Sequence, residues 1–214
     1  MTEVVVKLGY MLERLSHKRV KNPALLVLTD ARCPTSQYSD NVSGAGNQQE
    51  RLWIEAIPAD VGYFLSGFAL GEGSFMVVAR RRGDYAAKWK LSAAFNVSQR
   101  DRAPLDLFKE TLNCGSIRKA GNGGWYWEVN HLCDIQARVV PFFERFPLVG
   151  TKAEDFDRFR AAARILAKRF LSYQDYANVL ALREGMNGGG KRRYSMQRIL
   201  RDYTPSSSAR ARVR

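Results

Sequence analysis

Glu72 stands between Gly71 and Gly73, with Gly67 one helical turn earlier. An apolar helical pattern through Tyr63, Phe64 and Leu65 runs into this Gly-Glu-Gly step, and alternation begins behind it at Ser74. A carboxylate at such a junction, beside the Gly71 carbonyl, suits a hard ion such as magnesium. That ion keeps several waters and takes only one or two protein carboxylates. Hydrolysis of a phosphodiester needs a nucleophilic water and charge neutralisation at the leaving oxygen, which paired metal ions supply. One acid per chain is thin for that, whereas a two-fold dimer brings two. Gly67 and Gly71 lie on one helix face and would let two such helices cross closely, with Phe64 and Phe68 beside them. The same residues also fit a solvated acid at the end of a helix, and their spacing leaves both readings open.

Two further residues could serve such an acid. Gln99 closes an alternating segment and could order a water. Lys152 precedes a helical pattern and could support transition-state charge or activate water. By residue type alone each is an ordinary surface side chain.

The elements that must position them are readable from periodicity. Pro58 or Asp60 opens a helix running to about Gly71. From Ser74 to Arg82 the side chains alternate: Ser74, Met76, Val78, Arg80 and Arg82 take one face, and Phe75, Val77, Ala79 and Arg81 the other. After a turn at Arg82-Gly83-Asp84-Tyr85, Lys88, Lys90 and Ser92 oppose Trp89, Leu91 and Ala93 in a second strand, which ends near Gln99. Asp101 and Pro104 start a helix bearing Leu105, Phe108 and Leu112, closed by Asn113-Cys114-Gly115. A second hairpin joins Ser116-Ile117-Arg118-Lys119 to Trp125-Tyr126-Trp127-Glu128-Val129 through Gly121-Asn122-Gly123-Gly124. Helices are expected from Leu132 to Arg145, Lys152 to about Arg169 and Tyr173 to Arg183. The fold class is α+β in the order αββαββα, a four-stranded antiparallel sheet with helices on one face. Residues 1–50, with a Ser, Asn and Gly-rich stretch from Asp30 to Gln49, read as an extension and linker. Residues 51–187 form the compact domain, and 188–214 a basic tail opened by Gly188-Gly189-Gly190.

The net charge of +13 and pI of about 10.0 point to a polyanion, DNA or RNA first. No apolar run reaches the roughly 18 residues that span a bilayer, and the N-terminus lacks the pattern of a secretion signal. A membrane partner is therefore not expected, nor an organic cofactor. Cys33, Cys114 and Cys133 are odd in number and widely spaced, which reads as reduced thiols in an intracellular, non-secreted protein. The open sheet face carries Arg80, Arg82, Lys88, Lys90 and Arg118 among Ser74, Ser92, Asn96 and Ser116, with Asp84 nearly alone as an acid. If Trp125 and Trp127 share the side of Arg118, aromatics interleave with the cations. Such a hairpin fits the DNA major groove, where arginine and lysine reach guanine acceptors. In the tail, Lys191, Arg192 and Arg193 could clamp flanking phosphates, and Tyr194 to Tyr203 could become helical on DNA.

Four blocks in order carry a family resemblance, over roughly Asp60 to Phe159. Leu65 to Phe75, in the form Gly-Phe-x-x-Gly-Glu-Gly-Ser-Phe, resembles the signature of LAGLIDADG homing endonucleases. Phe95 to Asp101 resembles that family's end of the second strand, and Gly115 to Lys119 its third strand. Pro141 to Lys152 is similar to the segment bearing a basic active-site residue. The resemblance implies a site-specific double-strand DNA endonuclease, intron-encoded, cutting a near-palindromic site across the minor groove to leave 3′ overhangs. It implies Glu72 as the metal-binding carboxylate with the neighbouring Gly71, Gln99 as a water-positioning residue and Lys152 as base or charge stabiliser. The cofactor would be magnesium or manganese, with calcium binding but not supporting cleavage. A single signature implies a homodimer on double-stranded DNA, in a bacterial or archaeal cytoplasm or an organelle. Leu70 departs from the pattern, which carries an acid two residues before Glu72. Two other readings use the same scaffold: an RNA-binding intron maturase and a catalytically silent DNA-binding protein.

Overall fold

The computed structural model describes residues 53–203, apart from 86, 122 and 191. The expectations for residues 1–50, Lys191 and the last residues of the tail lie outside these. Helix α1 (Ala59–Glu72) follows Pro58 and ends one residue later than the pattern suggested. Its last residue is Glu72. Strand β1 (Gly73–Arg81) begins at the next residue and pairs antiparallel with β2 (Trp89–Gln99). Helix α2 (Ala103–Leu112) leads to β3 (Ser116–Lys119), and β3 pairs with β4 (Trp125–Val129). The sheet has four antiparallel strands in the order β1-β2-β4-β3, as expected.

The helix expected from Leu132 to Arg145 is interrupted. A first turn α3 (Leu132–Asp134) passes into a π-helical turn, Ile135–Val139, and then into α4 (Val140–Arg145). Pro141 has no N–H to return to the preceding turn, and a widened turn accommodates that missing donor. Helices α5 (Gly150–Leu166) and α6 (Tyr173–Glu184) follow. The start of α6 is fixed by a reciprocal cap: Ser172 Oγ accepts from Asp175 N–H, and the Asp175 carboxylate accepts from Ser172 N–H.

The inward face of the sheet and the helices share one aromatic core. Phe75 stacks on Phe95 with ring centroids 4.6 Å apart, and Phe143, Phe156 and Phe159 close around Phe75. All are essentially buried, and aromatic pairs of this kind contribute beyond the area they bury.

Among the described residues beyond Gly190, helix α7 (Met196–Asp202) buries Ile199 in the core. Arg192, expected as a phosphate clamp, instead donates from Nη2 to the carbonyls of Arg183 (2.8 Å) and Met186 (2.6 Å). The Arg183 carbonyl lies in the last turn of α6 and the Met186 carbonyl just beyond it; each also accepts a backbone N–H, from Met186 and Gly189, so Arg192 adds a second donor to both. Cys114 is a free thiol. Burial, reinforced by Asp134, pushes it up to about 12, so it is a packed and unreactive side chain.

Candidate nucleic-acid interface and acidic junction

Glu72 is exposed at the end of α1, and Gly73 N–H closes the helix on the Ala69 carbonyl. The turn from helix to strand is tight. A Cβ on Gly73 would stand 2.5 Å from the Ala69 carbonyl oxygen, which is backbone and cannot give way. Glycine at 73 thus lets the strand start directly behind the acid.

Lys152 comes to this junction from 79 residues away. Its Nζ donates to the Gly73 carbonyl at 2.7 Å, one residue from Glu72. Gln99 reaches the same end of the sheet by register. Gly73 pairs with Val97, and Gln99 lies two residues further along β2. Its Oε1 accepts from Arg100 N–H at 2.7 Å. The three residues singled out for chemistry therefore share one end of the sheet. Among the described residues no group of three His, Cys, Asp or Glu side chains could hold a metal. One chain offers a hard-ion donor set of a single carboxylate and the carbonyls of a helix's last turn, which have no intrahelical donors. That set suits a hard ion and leaves most of its coordination to donors from outside the chain.

The sheet's open face follows the register row by row. Ser74 pairs with Asn96, Asn96 with Glu128, and Glu128 with Ser116. Toward the α1 end, Ser98 pairs with Tyr126 and Tyr126 with Arg118. Away from it come Met76 opposite Ala94, Val78 opposite Ser92, and Arg80 opposite Lys90. Thus Ser74, Met76, Val78, Arg80, Lys90, Ser92, Asn96, Ser116 and Arg118 share the face expected for them.

Trp125 and Trp127 do not. They alternate with Tyr126 and Glu128 and stand on the helix side. Trp127 has 0% exposure, stacks on Phe108 and donates from Nε1 to the Cys114 carbonyl at 3.0 Å. Trp125 is half-buried, packed against the core, and lies under the Arg102 guanidinium. The register decides this: Arg118 pairs with Tyr126, while Ile117 pairs with Trp127. A one-residue shift exchanges the two faces of a strand. Tyr126, Ser98 and Glu128 are the residues missed, and Glu128 adds an acid to the face. Treating the two tryptophans as inward would have found them. Arg82 and Lys88 belong to the turn rather than the strands. Arg82 pairs with Asp84, and Lys88 takes a left-handed conformation, φ 60°.

The dimer expectation divides in the same way. Gly67 and Gly71 are exposed with open space where a Cβ would be. Phe64 and Phe68 are half-buried, and Phe68 packs on Phe108. Tyr63 and Leu70, 58% and 38% exposed, complete the outward stripe. In the C-terminal segment, Arg193 is exposed, with its guanidinium over Tyr194.

A helix ending on an exposed acid, laid directly into an antiparallel sheet with one open face, is the arrangement of a LAGLIDADG-type nuclease domain. The family model described as LAGLIDADG endonuclease matches residues 65–163, and that segment is similar to the family. The chain is similar to the probable intron-encoded endonuclease 2 of Neurospora crassa, 25% identical over 148 residues. That match covers 67% of this chain and 31% of the relative. The chain thus spans about a third of that relative's length. Among solved structures, the I-SmaMI LAGLIDADG homing endonuclease bound to cleaved DNA has a TM-score of 0.60 at 25% identity, over 68% of this chain and 49% of that one. I-SmaMI is also known on uncleaved DNA in the presence of calcium ions. The homing endonuclease I-TnaI shares the fold, with a TM-score of 0.55 at 23% identity, over 66% of this chain and 94% of that one.

Proposed function

We propose that the protein is a homodimeric, divalent-metal-dependent endonuclease that cuts double-stranded DNA at one near-palindromic site and leaves 3′ overhangs. The observation that carries this reading is the Lys152 ammonium on the Gly73 carbonyl, 2.7 Å, beside the exposed Glu72. It puts a fixed positive charge next to the one carboxylate at the helix–strand junction. In the dimer, Glu72 and the Gly71 carbonyl of each copy would hold the ions, magnesium or manganese, and calcium would bind there without supporting cleavage. When bound, the ions neutralise phosphate charge and lower the pKa of water. Lys152 faces the scissile phosphate and stabilises charge that develops there. Gln99 turns from its own backbone contact to orient a water. The open face lies in the major groove, Arg193 and Lys191 meet flanking phosphates, and the net charge of +13 supplies non-specific attraction. The intron-encoded name of the Neurospora relative supports an intron-borne gene and action inside the compartment that holds its target.

The test is cleavage selection on a randomised duplex library with magnesium, run beside Glu72→Gln. Wild type should enrich one site and cut it. Glu72→Gln should bind that site and cut it at least about 10³-fold more slowly, the scale of losing a principal charge-stabilising group. Equal cutting by both proteins would remove Glu72 from the chemistry. Binding without cutting by wild type would leave a DNA-binding protein.

A further inference from the structure

The open face changes character along β1 and β2, and the change has a chemical reading. Nearest α1 the rows are polar: Ser98, Tyr126 and Arg118, then Ser74, Asn96, Glu128 and Ser116. Farthest from α1 the row is basic, Arg80 opposite Lys90, both exposed. Between them the face is apolar except for Ser92. Met76 stands opposite Ala94, and Val78 follows opposite Ser92. Met76 and Val78 are half-buried and Ala94 is buried, although all three point away from the helical layer.

These three side chains offer no donor or acceptor to a base edge. A hydrogen-bonding group of DNA placed against them would lose water and gain nothing. One apolar group is available in the major groove, the C5 methyl of thymine, and apolar side chains contact it. We propose that Met76, Val78 and Ala94 form a thymine-methyl patch that sets part of the target sequence. The proposal rests on the reading of this face as the DNA-binding one. Two rows of a strand advance roughly 7 Å, so the patch covers about two or three base pairs of each half-site. That block lies between the pairs met by the polar rows and those met by Arg80 and Lys90. It should carry thymine on the strand nearest β1 and β2.

The experiment replaces thymine by deoxyuridine, which deletes the methyl and keeps every hydrogen-bonding group. The enriched site is synthesised with single replacements at each thymine, and binding is measured in calcium so that no cleavage intervenes. Within the block, each replacement should weaken wild-type binding about fourfold, the value of one buried methyl group. Outside the block, replacement should leave binding unchanged. Met76→Ser with Val78→Ser, which leaves only Ala94 of the patch, should discriminate thymine from deoxyuridine sites less than wild type does. An enriched site without thymine in this block overturns the patch, as does wild-type indifference to deoxyuridine there. Those results differ from failure of the underlying reading, in which no duplex is bound specifically at all. The deoxyuridine comparison uses wild-type protein throughout, so it stands even if the double variant folds poorly.

Discussion

Lys152 and Trp127 show how little residue type says about role until partners are known. Both are residues that bind nucleic acids elsewhere, and the fold gives them opposite tasks. The Lys152 ammonium is tied to a backbone carbonyl rather than a carboxylate, so its charge is not cancelled. Lys152→Met should slow single-turnover cleavage about 10²-fold, the scale of removing one preorganised charge donor. Affinity for the duplex should change little in a gel-shift titration, because one cation among many phosphate contacts is a small part of binding. A matching loss in affinity would mark Lys152 as an ordinary phosphate contact. Trp127 is the reverse case, a side chain whose only hydrogen bond is internal, to Cys114. Trp127→Phe leaves that buried carbonyl unpaired and a small void beside Phe108. It should cost about 2 kcal/mol and lower the thermal midpoint by roughly 4–8 °C. The refolded variant should bind DNA as wild type does. A selective loss of binding with unchanged stability would restore the nucleic-acid role that the sequence suggested.

At the scale of elements, the junction between α1 and β1 has no loop. Strand pairing begins at Gly73, whose N–H still belongs to the helix. The direction of Glu72 is therefore set by two rigid elements at once. Gly73→Ala forces a Cβ against the Ala69 carbonyl and must open that junction. It should destabilise the domain by about 1–3 kcal/mol and reduce cleavage by up to about 10²-fold, since a displacement near 1 Å costs that much. Urea melts and cleavage rates at a temperature where the variant is folded separate the two effects. Undiminished cleavage would show that Glu72 needs no such placement. This junction was legible in the sequence because two periods, helical and alternating, meet at the Gly-Glu-Gly step. The first hairpin was legible for a similar reason: Phe75, Val77 and Ala79 give its inward face directly. In the second hairpin the strands were legible but the facing of Trp125 and Trp127 was not. Trp125, Tyr126 and Trp127 are all aromatic, so alternation in polarity vanishes there, and parity is set by pairing with β3 and by packing on Phe108. The anchoring of Arg192 was equally hidden, because it depends on helix-end carbonyls that no side-chain pattern reveals.

At the scale of the molecule, the proposed function makes one chain half of a site. The outward stripe of α1, Tyr63, Gly67, Leu70 and Gly71, has no cover from the described part of the domain. Two copies meeting there would bring two Glu72 side chains together and would also bring together two chains of +13. That repulsion opposes association over distances of about a Debye length, roughly 8 Å at physiological salt. The dimer should accordingly strengthen with added salt until screening is complete, while DNA binding weakens over the same range. Gly67 isolates the contact from folding. A Cβ at this position meets nothing within 4 Å, and replacing an exposed helical glycine removes a helix-propensity penalty of about 1 kcal/mol. Gly67→Leu should therefore leave the thermal midpoint of the chain unchanged or raised. In the dimer the same side chain would stand where two helix backbones approach. Sedimentation velocity at about 0.3 M salt, where the screening length is near 6 Å, should show wild type as a dimer and Gly67→Leu as a monomer. The variant should also lose double-strand cleavage, because each copy would carry its acid without the other. A Gly67→Leu protein that sediments as wild type and cuts both strands would place the second carboxylate somewhere other than across α1.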